Sequence, residues 1–212
     1  MGRVGESRVQ ILRNETIDLE LLADLIAAHG IDAPSVPPIP RDVSKFHVTN
    51  LIDSAKQITK GVNEYHEYQG APKGIMSLGR IWESVADIYL QWWVGGRRGG
   101  FVSDVVVEGD GIIASLDGVV FLPELGPMVQ ESKLRFTLNE EIPIRHQQQV
   151  KAYCHLARVT KVLFAILSLT SSPPVAHARL TMMEFDLQSI EENWEMILNT
   201  KKFLEGIGEG PR

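Results

Sequence analysis

The segment IIASLDGVVF at residues 112–121, followed by MVQESKLRF at residues 128–136, decides the fold of this chain. Both runs are rich in apolar and β-branched residues, and the gap between them contains Pro123, Gly126 and Pro127. Apolar runs separated by turn-forming residues predict the two strands of a β-hairpin. We therefore take this hairpin as the element around which the rest of the chain is arranged.

Each predicted strand carries charged residues where a buried strand normally has none. Asp117 interrupts the first strand, and Glu131 and Lys133 interrupt the second. Residues two apart point to the same face of a strand, so Glu131 and Lys133 share a face. If the hairpin places Asp117 opposite them, two carboxylates and an ammonium group converge at one position. Such a cluster indicates either a metal site with a lysine beside it or a salt-bridged cross-strand pair.

Length and composition limit the class of protein. The 212 residues are enough for one large domain or two small ones with a substantial core. No apolar run approaches the roughly 20 residues that span a bilayer, and the N-terminus lacks the apolar segment of a signal peptide. The single cysteine, Cys154, excludes an internal disulfide or a cluster held by several cysteines, and favours an intracellular location. The net charge of −6 argues mildly against a general polyanion-binding protein.

The first part of the chain predicts a short helix and a connector. Thr16 is expected to cap the helix, and Gly30 is expected to end it. Four prolines between residues 34 and 40 then indicate an extended segment. The predicted organisation is an N-terminal helix with a Pro-rich connector at residues 1–45 and the main domain at residues 46–212. A fold in which the connector only wraps the surface of one domain is an equally good interpretation.

The most periodic helical pattern covers about residues 77–93. It predicts one broad buried face made of Leu78, Ile81, Trp82, Val85, Ile88, Tyr89 and Trp92. Glu83 lies opposite that face, where a solvent-exposed glutamate is the better interpretation of its position alone. The Gly-rich turn that follows carries Arg97 and Arg98, a pair suited to phosphate contacts but also common in surface loops.

Strand and helix patterns alternate around the hairpin. A strand is expected before it at residues 101–107, and a helix after it at residues 144–158. Two more strands and a final helix at about residues 187–204 follow. From residue 77 onward the order is helix, three strands, helix, strand, strand, helix. This order predicts an α/β (α+β) fold in which helices flank a central mixed sheet.

The charged residues of the hairpin have a direct chemical logic. Two carboxylates, Asp117 and Glu131, are suited to Mg²⁺ or Mn²⁺, hard ions that prefer oxygen ligands, and the carbonyl of Ser132 is a third oxygen beside them. Lys133 can hold the attacking water and balance charge while a phosphodiester bond is cleaved. The triplet alone is a weak signal, but its position on two strands of one hairpin strengthens it.

With these residues the chain resembles the PD-(D/E)XK nuclease superfamily, and more narrowly its RecB-like and lambda-exonuclease-like (YqaJ) branch, which suggests a phage or prophage origin. LGRIWE at residues 78–83 looks like the first motif of that branch, and SLDGVV at residues 115–120 looks like the second. QVKAY at residues 149–153 looks like its Q-x-x-x-Y motif, and HVTNL at residues 47–51 resembles its opening segment. The resemblance covers roughly residues 46–205 and implies a restriction-endonuclease-like core of order α-β-β-β-α-β.

The resemblance also implies roles for single residues. Four groups are expected to bind the metal, namely Asp117, Glu131, Glu83 and the carbonyl of Ser132, although the branch usually has an apolar residue at the position of this serine. Lys133 is expected to position the water. Gln149 and Tyr153 share a helix face and are expected to orient the metal shell or the scissile phosphate. Contacts with nucleic acid are expected from Arg97, Arg98 and His146, the last of which is equally well interpreted as a helix cap or surface group.

The sequence thus predicts a Mg²⁺-dependent (or Mn²⁺-dependent) DNA exonuclease of the recombination or repair type. It is expected to act on duplex ends or single strands in the cytoplasm of a bacterial or phage-infected cell. An endonuclease with the same site, and a non-catalytic DNA-binding or assembly protein with the same fold, are the alternatives. A recombination partner protein and a homo-oligomer are further expectations, and no membrane association is expected.

Overall fold

The structure is a computed structural model that describes residues 9–30, 42, 44–65 and 73–211. Five helices and seven strands are seen within these ranges: β1 (Val9–Thr16), α1 (Leu19–His29), β2 (Phe46–His47), α2 (Val48–Ile58), α3 (Lys73–Gly95), β3 (Gly100–Gly109), β4 (Ile112–Leu122), β5 (Gly126–Arg135), α4 (Ile144–Ala157), β6 (Lys161–Ser171), β7 (Pro174–Phe185) and α5 (Leu187–Gly206). The prolines of the predicted connector lie outside the described residues.

The described strands form one mixed sheet in the order β1-β7-β6-β5-β4-β2, with β3 also paired to β4. The pair β4 and β5 is the predicted hairpin and is antiparallel, whereas β5 and β6 are parallel because α4 crosses over between them. The order from α3 to β6 is helix, three strands, helix, strand. The predicted mixed sheet flanked by helices is therefore confirmed.

Each face of the sheet is covered by its own set of helices. On one face, α2, α4 and α5 bury a core that includes Leu51, Val150 and Trp194. On the other face, α1 and α3 bury a second core that includes Leu25 and Trp82. A central strand is therefore apolar on both faces, which accounts for the continuous apolar run in β6.

The N-terminal part of the chain belongs to the same sheet as the rest. Strand β1, which the sequence did not predict, pairs antiparallel with β7 from Val9 opposite Phe185 to Thr16 opposite Arg179. Helix α1 packs its buried leucines into the core shared with α3. A division at residue 45 would cut both this sheet and this core, so residues 9–29 are not a separate unit. The cap of α1 is Asp18 rather than Thr16, because the Asp18 carboxylate accepts hydrogen bonds from the backbone N–H groups of residues 20 and 21.

The buried face of α3 differs from the predicted one. Leu78, Ile81 and Trp92 are 42–46% exposed, so the predicted stripe is wrong at these positions. Three residues of the predicted stripe are buried as expected, Trp82, Val85 and Tyr89, and three outside it are buried with them, Ala86, Leu90 and Trp93. This face is rotated about the helix axis towards Glu83. Apolar residues occur on several sides of α3, so packing against the sheet and α1 selects the face that is buried.

Candidate active site

The candidate site lies at the part of strand β4 that is unpaired along one edge within the described residues. Strand β3 pairs with β4 from Ile112 to Phe121, so the two other partners of β4 must share its opposite edge. On that edge β2 pairs only with residues 112–113, and β5 pairs only with residues 118–122. Among the described strands, none pairs with residues 114–117 on this edge. A cavity of about 470 Å³ opens at this gap between β2 and β5.

The cavity brings together most of the residues predicted for the site. Seven of the ten predicted residues line it: Glu83, Asp117, Glu131, Ser132, Lys133, Gln149 and Tyr153. They come from α3, β4, β5 and α4, which the sheet and its two helical layers hold around one space. The three that do not line it are the residues expected to contact nucleic acid.

Asp117 stands at the point where β4 and β5 separate. Its Oδ2 accepts a hydrogen bond of 2.6 Å from the backbone N–H group of Ser132, in place of a backbone acceptor from β4. The next position, Gly118, has no room for a side chain. A Cβ atom there would lie 2.5 Å from the Phe101 ring and 2.8 Å from the carbonyl oxygen of Val102. The Asp-Gly pair thus places a carboxylate at the opening and keeps β3, β4 and β5 close beside it.

Glu131 is the most deeply buried carboxylate of the cavity. Its side chain is 2% exposed. Oε1 accepts hydrogen bonds from Lys133 Nζ and, at 2.9 Å, from Gln149 Nε2. Oε2 is buried and has no hydrogen-bond partner among the described residues. A buried carboxylate oxygen without a partner is costly in a protein interior, and a bound cation would satisfy it.

Burial is the largest cause of the perturbed pKa values in the cavity. It raises the pKa of Asp117 to about 7, and the charge of Glu131 acts in the same direction. Burial also raises the pKa of Glu131, although the nearby Lys133 opposes this shift. Burial alone lowers the pKa of Lys133, but the charges of Glu131 and Asp117 outweigh it, so the net pKa is raised. Lys133 is therefore protonated at neutral pH. Its positive charge partly compensates the negative charges of Glu131 and Asp117, which water solvates poorly in the cavity.

Helix α3 adds further acidic groups at the mouth of the cavity. Desolvation by the surrounding protein and then the charge of Asp117 raise the pKa of Glu83 to about 7, although Glu83 as a residue is exposed to solvent at the mouth. One turn along the helix, burial and the charges of Asp104, Asp117 and Glu83 raise the pKa of Asp87 to about 7. Three carboxylates, those of Glu83, Asp87 and Asp117, thus act on one another near α3 and β4, and Arg80 of α3 opposes the shift of Glu83. A cation entering there would lower the cost of keeping these carboxylates together.

Helix α4 supports the site from the opposite side. Gln149 and Tyr153 are one turn apart and both are buried. Gln149 Nε2 lies 2.8 Å from the Tyr153 hydroxyl oxygen, to which it donates, and also donates to Glu131. The tyrosine therefore orients the glutamine, and the glutamine orients the carboxylate. Ser132 completes the wall, and its hydroxyl accepts a hydrogen bond from Gln130 Nε2 at 2.8 Å.

The donor set fits a hard divalent cation in its chemical type. Asp117, Glu131 and Glu83 supply carboxylate oxygens to one cavity, and a free buried oxygen of Glu131 is among them. Within the described ranges, no three His, Cys, Asp or Glu side chains already have the arrangement of a metal site. Lys133 and the Ser132 N–H group hold one oxygen each of Glu131 and Asp117.

Arg97 and Arg98 lie at the far end of α3 from Glu83. The helix continues from residue 83 to residue 95, which is about 18 Å at 1.5 Å per residue. The Arg97 guanidinium packs 4.2 Å from the centre of the Trp93 ring, and its Nη2 lies 3.4 Å from Oε2 of Glu15. Arg97 thus joins α3 to β1, and a role of these two arginines in nucleic-acid binding stays a prediction.

His146 lies close to the cavity without lining it. Burial lowers its pKa to about 4, and the positive charges of Lys133, Arg145 and Arg135 contribute. Its imidazole is therefore neutral at neutral pH. A contact of His146 with nucleic acid stays a prediction and would not be an ionic one.

The sequence reasoning missed three charged residues of this region. Asp104 has a positive φ of 53° and stands opposite Asp117, between the regular pairs formed by Ser103 and Val105. Asp87 lies one turn after Glu83 and shares its electrostatic environment. Arg145 lines the cavity and precedes Gln149 by one helical turn. The i, i+4 spacing was a usable signal for Asp87 and Arg145, whereas nothing in the sequence marked the positive φ of Asp104.

Comparison with known proteins identifies the fold. No protein-family model matches the chain, and no curated protein matches it. Among solved structures, the alkaline exonuclease LHK-Exo from Laribacter hongkongensis matches with a TM-score of 0.52 and 15% sequence identity, over 87% of this chain and 93% of that one. The chain has the fold of this exonuclease.

Two further structures match as well. LHK-Exo in complex with dAMP has a TM-score of 0.52 at 15% identity, over 77% of this chain and 89% of that one. A phage-related exonuclease from Haemophilus somnus 129PT has a weaker TM-score of 0.47 at 11% identity, over 92% of this chain and 96% of that one. The likeness to the two LHK-Exo structures confirms the predicted fold. None of the described helices is both long enough and apolar enough to cross a membrane.

Proposed function

We propose that the protein is a Mg²⁺-dependent or Mn²⁺-dependent DNA exonuclease that hydrolyses phosphodiester bonds in recombination or repair. One observation carries the proposal. The buried carboxylate of Glu131 and the half-buried carboxylate of Asp117 lie beside a protonated lysine in a cavity where two strands of the sheet separate. A purely structural ion pair does not need an open cavity, a buried carboxylate oxygen without a partner, or three acids with raised pKa values.

The metal would be held by Asp117, Glu131 and the carbonyl of Ser132, with Glu83 at the mouth. Bound there, Mg²⁺ would supply a more acidic water and would neutralise negative charge on the phosphate. The Lys133 ammonium group would donate a hydrogen bond to the attacking water or to a phosphate oxygen. The water oxygen forms a bond to phosphorus, and the bond from phosphorus to the leaving sugar oxygen breaks.

The surrounding residues would hold this arrangement and take up a proton. Gln149, oriented by Tyr153, keeps the Glu131 carboxylate in one rotamer. Glu83 has a pKa of about 7 and is accessible from solvent, so its carboxylate can accept the proton that leaves the water near neutral pH. These roles require no further residue from outside the cavity.

The first test is digestion of end-labelled linear DNA with Mg²⁺ by the wild type and by Lys133→Ala. We expect steady loss of label from the wild type reaction and a rate lower by about a hundredfold or more for the variant. Equal digestion by both proteins, or digestion by neither, would argue against the proposal. Circular dichroism of both proteins controls for misfolding of the variant.

An endonuclease acting through the same cavity is the nearest alternative. A covalently closed circular DNA separates the two, because an exonuclease needs an end and an endonuclease does not. Conversion of the circle to a nicked or linear form at a rate similar to linear digestion would favour the alternative. A non-catalytic DNA-binding protein is favoured if calorimetry detects no Mg²⁺ or Mn²⁺ binding.

The biological setting is part of the same proposal. We expect duplex ends or single strands as substrates, a cytoplasmic location in a bacterial or phage-infected cell, and a recombination protein as a partner. Self-association is also expected, and size-exclusion chromatography with light scattering measures it directly. Co-purification with a tagged recombination protein from the same genome tests the partner.

A further inference from the structure

Arg145 occupies a position between the candidate active site and a second, larger groove. It is the second residue of α4, and it lines the 470 Å³ cavity together with Lys133 and Gln149. It also lines an open groove of about 860 Å³ between α2, α4 and α5. Its side chain is 36% exposed, so it is accessible to solvent in part.

The helix places Arg145 in a row with the two polar residues that support the site. Arg145, Gln149 and Tyr153 follow one another at intervals of four residues, and all three line the cavity. Residues four apart lie on the same face of a helix, about 6 Å from one another along the axis. The row therefore begins at Tyr153, continues with Gln149, which donates a hydrogen bond to Glu131, and ends with the cationic side chain of Arg145.

Asp53 holds the guanidinium in a defined orientation. Arg145 Nε and Nη2 donate to Oδ1 and Oδ2 of Asp53 at 2.7 and 2.6 Å. This contact is bidentate and parallel, the geometry that fixes the plane of an arginine most firmly. Asp53 is only 14% exposed and belongs to α2, a different helix. An arginine held in this way is pre-organised to meet a second planar or tetrahedral anion.

The cavity contains cations as well as carboxylates. Lys133 of β5 and Arg145 of α4 line it, and on the α3 side Arg80 lines it beside the carboxylate of Glu83. The first turn of α4 contains no acidic residue, so the dipole of the helix adds to the positive potential at this end. The low pKa of His146, caused by burial and then by Lys133 and Arg145, is consistent with this potential.

We propose that Arg145, held by Asp53, binds the backbone phosphate that neighbours the scissile phosphodiester bond and so positions the DNA strand on the metal-binding side of the cavity. The inference rests on the proposed nuclease function and deepens it. The metal-binding carboxylates repel a polyanion, so a strand needs a cationic contact beyond the scissile phosphate to settle in one register. Arg145 is a binding residue in this arrangement, and Asp53 is a positioning residue.

The experiment uses DNA in which one linkage at a time is a neutral methylphosphonate. Linear duplexes carry this replacement at each of the first linkages from the end, and kcat/KM for digestion with Mg²⁺ is measured for the wild type and for Arg145→Ala. We expect one linkage beside the scissile bond at which the wild type loses about tenfold in kcat/KM, the usual effect of one charge-assisted hydrogen bond. The Arg145→Ala protein should be slower on unmodified DNA by a similar factor, mainly through KM, and should show no further loss at that linkage.

A matched control comes from the neighbouring groove. Lys56 lines the groove but not the cavity, and Lys56→Ala removes one positive charge at a similar place on the surface. This variant should keep the interference pattern of the wild type. If it loses the same linkage effect as Arg145→Ala, the effect is a general one of net charge and the inference is overturned.

The conservative variants separate binding from a structural role. Asp53→Asn removes the ion pair but keeps the arginine, so the linkage effect should become smaller without disappearing. Arg145→Lys keeps the charge without the bidentate geometry and should restore part of the loss in KM. A melting-temperature change alone, with the linkage pattern of the wild type intact in Arg145→Ala, would overturn the inference and leave the nuclease function standing. An inactive wild type would overturn both.

Discussion

The two cavities that meet at Arg145 differ in what their walls contain. The larger one, about 860 Å³, has an apolar floor that includes Ile52 and Met196, and charged residues such as Lys56 and Glu195 are exposed at its rim. The ion pair of Asp53 and Arg145 is the more buried part of its charged lining. The smaller one, about 470 Å³, has buried charges on its floor, with Glu131 only 1% exposed as a residue.

The difference shows that the candidate active site is not the cavity of larger volume. Charged groups at an exposed rim are stabilised by water. Charged groups on a buried floor lack that water and are stabilised by neighbouring charges and hydrogen bonds. The smaller cavity maintains its carboxylates only with the help of Lys133 and Gln149. The same type of substitution should therefore change activity and stability much more in the smaller cavity than in the larger groove.

The largest expected effect comes from a matched pair of glutamate substitutions. Glu131→Gln, in the smaller cavity, should lower kcat/KM for DNA digestion by about a hundred- to a thousandfold, because it removes a metal-binding charge. Glu195→Gln, in the groove, should stay within about twofold of the wild type, because that residue is exposed. Parallel digestion time courses measure both, and similar losses in the two variants would refute the contrast between the cavities.

Divalent ions should stabilise the protein through the smaller cavity. Saturating Mg²⁺ or Mn²⁺ should raise the melting temperature of the wild type by roughly 5 °C, since an ion that binds only the folded state stabilises it. Asp117→Asn should remove most of this rise, because it removes one of the expected ligands. Differential scanning fluorimetry with a chelator control measures the shift. An equal rise in the variant would place the ion elsewhere.

The pH dependence of stability should sharpen the same contrast. Burial raises the pKa of Asp117 from 3.8 to about 7, so the folded state binds this proton more tightly than the unfolded state does. Protonation of Asp117 therefore stabilises the folded state. This stabilisation is complete below about pH 4, and it is lost as the pH rises through about 7. Without divalent ions, the melting temperature of the wild type should fall relative to that of Asp117→Asn by about 2–4 °C between pH 5 and pH 8. A constant difference between the two curves would contradict this account.

The smallest effect is expected in the groove. Phe203 is 41% exposed there, so Phe203→Ala should lower stability by at most about 1 kcal/mol and leave the digestion rate within about twofold. Urea unfolding and the digestion assay measure the two quantities. A strong loss of activity with normal stability would show that the groove contacts the substrate.

Much of the site could be predicted from local patterns. The strands of the hairpin and their charged positions are visible in the sequence, because alternation and turn residues act over a few positions. The same holds for Gln149 and Tyr153, whose spacing of four places them on one helix face. The order of the motifs then added Glu83 to the predicted site, although its position on the helix alone favoured a solvent-exposed residue. Seven of the ten predicted residues line one cavity for this reason.

Other features depend on contacts between distant segments and left little trace in the sequence. Strand β1 alternates weakly, and its partner β7 lies about 170 residues further along the chain. The face that α3 buries depends on α1 and on the sheet, because Leu78, Ile81 and Trp92 are as apolar as the residues that pack. Asp53 and Arg145 are 92 residues apart and neither belongs to a motif.

The sequence by itself determined the hairpin, the order of the elements and the identity of the charged groups, since these follow from short-range periodicity and chemistry. Only the tertiary structure decided that β5 leaves β4 at Asp117 and that β2 occupies the other part of the same edge. The opening between them exists because two strands that are far apart in the chain share one edge of a third. That sharing places an otherwise ordinary set of carboxylates, a lysine and an arginine around one cavity.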